Sequence, residues 1–314
     1  MCISLKSKIT SFGAVVLLMA ACGGNDQPVV TDAWSIWQAD SASLKVAVMP
    51  TLDCLPLYVA EECGLFDREG LSVTLYPYEA QMDCDTALQN GWVDGMMTDL
   101  VRAERLQEQG LPLHYATATA LSWQLITSRH ARINTLPQLD DKMLAMTRYS
   151  GTSLLADLLV DSAGLQPERV FRIQVNDVCV RLDMLRTGVM DALLLPEPQA
   201  SVALKSDGKR LYDSRQSDLW LGVMVFSQQS MADSVRHQQV EALLRAYAAA
   251  CDTLTATGLA PYKSLIANRC QLNVADLDSL SLDVTFPAVG EPRQTDIDRA
   301  KAWLEKVTHQ KTQD

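Results

Sequence analysis

The sequence predicts an α/β fold of two lobes, each built on a mostly parallel sheet. Two observations carry that expectation. Strand-like apolar runs alternate with helical stretches, many of them stopped by a glycine, and the alternation runs along the chain twice. A short segment also repeats: Leu88, Gly91, Val93, Asp94 and Gly95 recur 97 residues later as Leu185, Gly188, Met190, Asp191 and Ala192. Each copy reads as a helix end, a glycine cap and a strand opened by a short acid. The repeat points to two related lobes.

In the first series, Leu44–Pro50 reads as a strand and Cys54–Phe66 as a helix closed by Gly64. Leu71–Tyr78 alternates as a strand, Asp83–Asn90 is a short helix ended by Gly91, and Trp92–Met97 is the third strand. Leu100–Gln109 is a helix with Gly110 as its stop, followed by strands Leu113–Ala118 and Trp123–Ser128. The second series runs Met143–Thr147 (strand), Thr152–Ala163 (helix), Val170–Val175 (strand), Val180–Thr187 (helix) and Val189–Leu195 (strand). Gln199–Lys205 is helical and Trp220–Phe226 strand-like. The rest is helical: Val235–Gly258, then stretches near Pro261–Asn268, Ala275–Leu280 and Thr295–Lys306.

The chain opens with Lys6 and Lys8, then an uncharged run from Phe12 to Ala21. That run is about half the ~20 apolar residues a spanning helix needs, and it has the flanks of an export signal. Small residues Ala20 and Ala21 precede Cys22, which looks like a bacterial lipobox with Met19 where Leu is commoner. The reading is a signal over 1–22 with Cys22 lipidated, a tether over 23–43, and a periplasmic protein tied to a bacterial membrane by lipid alone. A plain secretory signal with a chance cysteine is the alternative.

The 314 residues carry a net charge of −11 with 48% hydrophobic and 21% charged residues. An acidic balance excludes a nucleic-acid binder and electrostatic docking on anionic lipid. The four histidines, His114, His130, His237 and His309, are scattered, and no HExxH, GxSxG or phosphate-loop motif is present. No CxxC pair supports a zinc ribbon or redox motif, so no metal and no cofactor is expected. Beyond Cys2 and Cys22 there are Cys54, Cys63, Cys84, Cys179, Cys251 and Cys270, enough for three disulfides in an oxidising compartment.

Lys45-Val46-Ala47-Val48, Leu57-Tyr58-Val59-Ala60-Glu61-Glu62-Cys63-Gly64-Leu65-Phe66 and Glu69-Gly70-Leu71-Ser72-Val73 follow one another as strand, helix and strand. With Ala87, Leu88, Gly91, Val93 and Asp94, and then Leu185, Gly188, Asp191, Ala192 and Leu195-Pro196-Glu197-Pro198, they resemble the nitrate, sulfonate, taurine and thiamine-precursor group of periplasmic binding proteins. The resemblance covers about 44–205. It implies the type 2 periplasmic binding protein fold, two α/β lobes around a central ligand cleft, with crossovers near Ala118–Leu125 and Asp218–Val225. Lobe 1 is then 44–120 plus 225–308 and lobe 2 is 124–220.

In open α/β sheets, ligands bind beyond the carboxyl ends of the strands. That rule selects Asp53 and Cys54, Asp83 and Cys84, Thr98 and Asp99, Tyr149-Ser150-Gly151-Thr152, and Asn176 and Asp177 with Cys179; Glu197 follows from the resemblance. The Tyr149–Ser153 helix start suits an oxyanion or is a plain N-cap. Asp53, Asp83, Asp85, Asp99 and Asp177 either cap helices or make the cleft acidic, and these segments hold no Lys or Arg. An acidic cleft disfavours free anions and suits a solute with amine, amidine or hydroxyl donors. Trp123 and Tyr149, with Tyr58 and Trp220 behind them, are candidates to stack on a planar solute. Cys54, Cys84 and Cys179 stay open between a Cys54–Cys84 disulfide, a soft-metal site and buried unpaired thiols. Cys251 and Cys270 flank a helical hairpin and could pair.

The resemblance implies solute capture for an ABC importer, working as a monomer with a cognate permease and ATPase and without catalysis. An amine- or pyrimidine-type solute is favoured over sulfonate or nitrate. The alternatives are an enzyme on the same fold, such as a menaquinone-pathway dehydratase, and a sensory lipoprotein.

Overall fold

The computed structural model describes residues 43–278, 280, 282 and 284–311. The expected export signal, the expected lipidation site Cys22 and the expected tether up to residue 42 lie outside the described residues. From Leu44 on, the chain builds two five-stranded sheets.

In the first sheet, β1 (Leu44–Val48) lies between β2 (Val73–Pro77) and β3 (Gly95–Asp99), parallel to both. β10 (Gly222–Ser227) follows, antiparallel to β3 and to the edge strand β4 (Leu113–Ala118). In the second sheet, β6 (Lys142–Met146) lies between parallel neighbours β7 (Val170–Gln174) and β8 (Ala192–Pro196). β5 (Trp123–Thr127) is antiparallel to β8 and to the edge strand β9 (Lys209–Asp213). The two sheets thus share one plan. The chain crosses between them twice, from Ala118 to Trp123 and from Asp213 to Gly222.

Helices α1 (Leu55–Glu62), α2 (Gln81–Gln89) and α3 (Leu100–Glu108) follow β1, β2 and β3. In the second lobe α4 (Gly151–Ser162), α5 (Val178–Arg186) and α6 (Gln199–Lys205) follow β6, β7 and β8. The long α7 (Ser234–Thr257) packs on α1, with α8 (Lys263–Arg269) close by. α9 (Gln294–Lys311) packs on α3 and also reaches α4 of the other lobe. Central strands are apolar on both faces because helices cover both sides: Val46, Ala47 and Val48 in one sheet and Leu193, Leu194 and Leu195 in the other are fully buried.

The repeated segment has matching geometry in both lobes. Gly91 and Gly188 take left-handed φ of 67° and 71°, ending α2 and α5. The Lys45 N–H, in β1, donates to Asp94 Oδ2 at 2.8 Å. The Met143 N–H, in β6, donates to Asp191 Oδ2 at 2.9 Å. One residue on, Val46 pairs with Gly95 and Leu144 with Ala192. The difference between glycine and alanine there follows from the next strand. Gly95 faces Phe226, and a Cβ on it would stand 2.4 Å from the ring; Ala192 faces the smaller Thr127.

The structure shifts several expected boundaries. β3 and β8 start after the acid rather than at Trp92 and Val189, because each acid is occupied bonding the neighbouring strand; Trp92 and Val189 are exposed. The helix expected over Cys54–Phe66 breaks at Gly64, which takes φ of 65°. β9 was not expected. Its sequence, Lys-Arg-Leu-Tyr-Asp, is charged at the start and has no clean alternation, as suits an edge strand.

Candidate functional site

The carboxyl ends of the parallel strands of both sheets face one small cavity of about 40 Å³. A space of that size holds only a few waters, since each needs ~10–15 Å³ by the same measure. The lobes meet directly around it, and several hydrogen bonds cross between them. The Leu52 N–H donates to the Glu197 carbonyl at 2.9 Å, and Gln199 Nε2 donates to the Pro50 carbonyl at 2.7 Å. The Gly151 N–H donates to Asp99 Oδ1 at 2.9 Å. Ala80 and Asp177 form an isolated antiparallel bridge.

Asp53 sits in the tight turn between β1 and α1, 3% exposed. Its Oδ1 has no hydrogen-bond partner. Burial pushes its carboxyl up to about 6, with the Thr51 hydroxyl acting against that rise. Asp99 ends β3 and caps α3, accepting from the Arg102 N–H at 3.1 Å as well as from Gly151. Burial also holds it at about 6, opposed by the Arg102 charge.

Two arginines reach the cavity. Arg102, 1% exposed, is gripped by Asp85 through Nε at 3.2 Å and through Nη2, while Nη1 has no partner. Arg181 donates to three neutral oxygens: the Val175 carbonyl at 2.6 Å, the Leu194 carbonyl at 2.9 Å and Thr147 Oγ1. Burial lowers it to about 10, still charged at neutral pH. This corrects the expectation of a cleft bounded by carboxylates and free of Lys or Arg. The arginines lie one turn inside α3 and α5 rather than on the strand tips. Helical side chains lean back toward the N-terminus of their helix, which carries both heads to the cleft.

The expected site residues divide. Asp53, Asp99, Trp123, Ser150, Thr152 and Asn176 line the cavity. Gly151 meets Asp99 through its backbone, and the Trp123 ring lies so close that a Cβ on Gly151 would stand 2.7 Å from it. Ser150 and Thr152 are occupied locally: Ser150 Oγ accepts from the Thr152 N–H at 3.2 Å, and Thr152 Oγ1 accepts from the Thr147 N–H at 2.9 Å. Asn176 Nδ2 reaches Met82 Sδ of the other lobe at 3.0 Å.

The others do not line the cavity. Asp83 is exposed in the first turn of α2. Asp177 caps α5, accepting from the Cys179 and Val180 N–H groups at 2.7 and 3.0 Å. Thr98 is fully buried in β3. Glu197 Oε1 accepts from Gln124 Nε2 at 2.7 Å and from Ser201 Oγ at 3.0 Å. Tyr149 takes a left-handed φ of 52°, lines an outer groove beside Trp303 and carries the Arg105 guanidinium 4.7 Å over its ring. Tyr58 donates to the Met49 carbonyl at 2.8 Å, and Trp220 is on the outer surface.

The six cysteines from Cys54 on form no disulfide, so neither a Cys54–Cys84 nor a Cys251–Cys270 bridge is present. Cys54 Sγ accepts from the Met49 N–H at 3.4 Å behind the cavity wall, and Cys84 Sγ touches Met49 Sδ at 3.7 Å. Both act as small buried groups under the cleft floor. Among the described residues, no three His, Cys, Asp or Glu side chains cluster to hold a metal ion. No described helix is long and apolar enough to cross a membrane.

A family model described as NMT1/THI5 like matches residues 51–257. A search of curated proteins finds no match. Among solved structures, a zinc-bound ligand-binding component of an ABC-type import system from Staphylococcus aureus superposes with a TM-score of 0.70 at 16% identity, covering 86% of this chain and 92% of that one. The alkanesulfonate-binding protein SsuA from Xanthomonas axonopodis pv. citri, bound to MOPS, gives 0.70 at 17% identity, covering 86% and 93%. The nitrate-binding protein NrtA from Synechocystis PCC 6803 gives 0.64 at 13%, covering 76% and 69%. At such identities the likeness shows the fold, a periplasmic binding protein fold, and the family match places the chain in a group: it belongs to the NMT1/THI5-like family.

Proposed function

We propose that the protein is the solute-binding component of an ABC importer, capturing a small polar solute by lobe closure and catalysing no reaction. One observation carries the reading. One cavity is lined from both lobes by buried polar groups, and two of them, Asp53 Oδ1 and Arg102 Nη1, have no partner within the protein. Buried polar groups left unpaired cost ~1–3 kcal/mol each, so a solute that pairs them favours the closed state. The printed descriptions of the similar structures, an ABC import component and two solute-binding proteins, agree with it. The unpaired carboxylate oxygen supports a solute with at least one donor group, of amine or pyrimidine type, over sulfonate or nitrate. The expected partners are a permease and an ATPase, and the expected location is the periplasm, with a monomer held by lipid on Cys22.

A thermal-shift screen tests this, with putrescine, 4-aminopyrimidine, methanesulfonate and nitrate as probes. A ligand at a hundred times its dissociation constant adds ~2.7 kcal/mol to the stability of the state it binds. The expected result is a raised melting point with a donor-bearing probe and a smaller radius of gyration in X-ray scattering. Stabilisation by the anions alone would overturn the solute class, and chemical turnover of a bound probe would overturn the non-catalytic reading.

A further inference from the structure

We infer that Asp99 is a specificity-determining residue: an anion built into the chain that fills the start of α4 and keeps free anions out of the cleft. The inference rests on the reading that the cavity between the lobes is the solute site.

The start of α4 is a place where an anion is stabilised, because its first N–H groups have no helical partner and the helix dipole points its positive end there. It faces the opposite lobe, and what it meets is the Asp99 carboxylate, with the Gly151 N–H donating to Oδ1 at 2.9 Å. Asp99 is 3% exposed, so the contact is made out of water. Two further features show that the surroundings call for negative charge. Arg102 Nη1, buried and without a partner, lines the same cavity. Arg181 also lines it and is hydrogen-bonded to neutral oxygens, with Asp177 acting on its charge without a direct bond. Two guanidinium groups and a helix start converge, and the carboxylates set against them are Asp85, paired with Arg102, Asp99 at the helix start, and Asp53 elsewhere on the cavity wall. A free sulfonate or nitrate entering the cleft meets the N–H groups already occupied and a fixed negative charge beside them. It must displace Asp99, which is tied to its own helix by the Arg102 N–H, or sit next to it.

The test is a gain of anion binding. In Asp99→Ser the hydroxyl still caps α3, since serine caps about as well as aspartate, but the side chain is uncharged and too short to reach Gly151. Asp99→Asn keeps the length and an acceptor and removes only the charge. Methanesulfonate and nitrate are titrated into the three proteins by calorimetry near neutral pH at constant ionic strength. The expected result is no measurable heat of binding for wild type in the millimolar range, a gain in affinity of about tenfold or more for Asp99→Ser, as for one charge-assisted hydrogen bond, and a smaller gain for Asp99→Asn. Wild-type protein that binds methanesulfonate as tightly as Asp99→Ser overturns the inference. So does a folded Asp99→Ser, with a cooperative melt, that binds no better than wild type. If Asp99→Ser does not fold, Asp99→Asn decides by the same comparison. Putrescine titrated into wild type reads the solute-capture assignment separately. Putrescine binding without anion gain in the variants sinks only the role of Asp99, whereas no contraction of any of the three proteins with any probe sinks both.

Discussion

Replacing Asp53 by asparagine should make the ligand-free protein more stable and its solute binding weaker. Burial lifts the Asp53 carboxyl from 3.8 to about 6. At ~1.4 kcal/mol per pKa unit, keeping it ionised at neutral pH costs the fold about 3 kcal/mol. A raised folded-state pKa means that this cost is absent below the unfolded value of 3.8 and complete once the pH has risen through about 6. Asparagine has the same shape and no charge to desolvate. Urea denaturation of both proteins across this range should therefore show the variant ahead by about 1–3 kcal/mol near pH 7, with the gap closing toward pH 4. Asp99 titrates in the same window but is present in both proteins, so it cancels in the difference. On a donor-bearing solute the lost charge-assisted bond should reduce affinity by roughly 10- to 150-fold, from ~1.5–3 kcal/mol. A variant less stable than wild type near neutral pH, or a gap that does not change with pH, would show that Asp53 is well satisfied in the fold. Affinity unchanged within a few-fold would show that it does not face the solute.

Gly95→Ala should destabilise the first lobe by about 1–3 kcal/mol, the range for overpacking a filled core, and adding Phe226→Leu should recover part of the loss. The melting temperature should be the same with and without a reductant, because none of the six cysteines forms a disulfide; a drop on reduction would refute that. Iodoacetamide should label the half-buried Cys63 or Cys179 before Cys54, Cys84 or Cys270, as mass spectrometry of a native time course would show. On the proposed lipid anchor, Cys22→Ser should leave the precursor uncleaved by lipoprotein signal peptidase, and unchanged membrane retention of a processed product would refute the proposal.

Much of the scaffold was legible because each element obeys one period and has a chemical stop. Leu113–Ala118 and Gln199–Lys205 sit where the apolar pattern puts them, and the Gly91–Asp94 and Gly188–Asp191 turns do the same work in both lobes. The cavity was legible only by half. Strand-tip residues such as Asp53 and Asp99 follow from topology, since a parallel strand must deliver its last residues to the crevice. Arg102 and Arg181 do not, because their approach depends on the backward lean of helical side chains; counting one turn past each helix cap would have found both. Tyr149 failed for a related reason: its left-handed backbone turns the ring outward, and nothing in a non-glycine residue announces that conformation. The cysteines could not be assigned from spacing, which says how many residues separate two thiols and nothing of where each points.

The polar groups left unpaired also rank the donor-bearing solutes. Helix starts in both lobes have been satisfied by the chain itself, through Asp99 for α3 and α4 and Asp177 for α5. Among the fully buried side-chain atoms of the residues lining the cavity, those left without a partner are one acceptor, Asp53 Oδ1, and one donor, Arg102 Nη1. A diamine satisfies the first and leaves the second buried and bare, at ~1–3 kcal/mol. A solute carrying a donor beside an acceptor, as an aminopyrimidine does with its amino group and ring nitrogen, satisfies both. Once the lobes part enough to admit it, its flat ring can also stack on Trp123, which lines the same cavity. Calorimetry should therefore find 4-aminopyrimidine binding roughly tenfold or more tighter than putrescine, the ratio for about 1.4 kcal/mol. Arg102→Met should erase that preference while leaving putrescine nearly untouched, with a circular dichroism melt to show that Asp85, left without its partner, has not unfolded the lobe. Putrescine binding as tightly as the pyrimidine in wild type would mean that Arg102 Nη1 plays no part in choosing the solute.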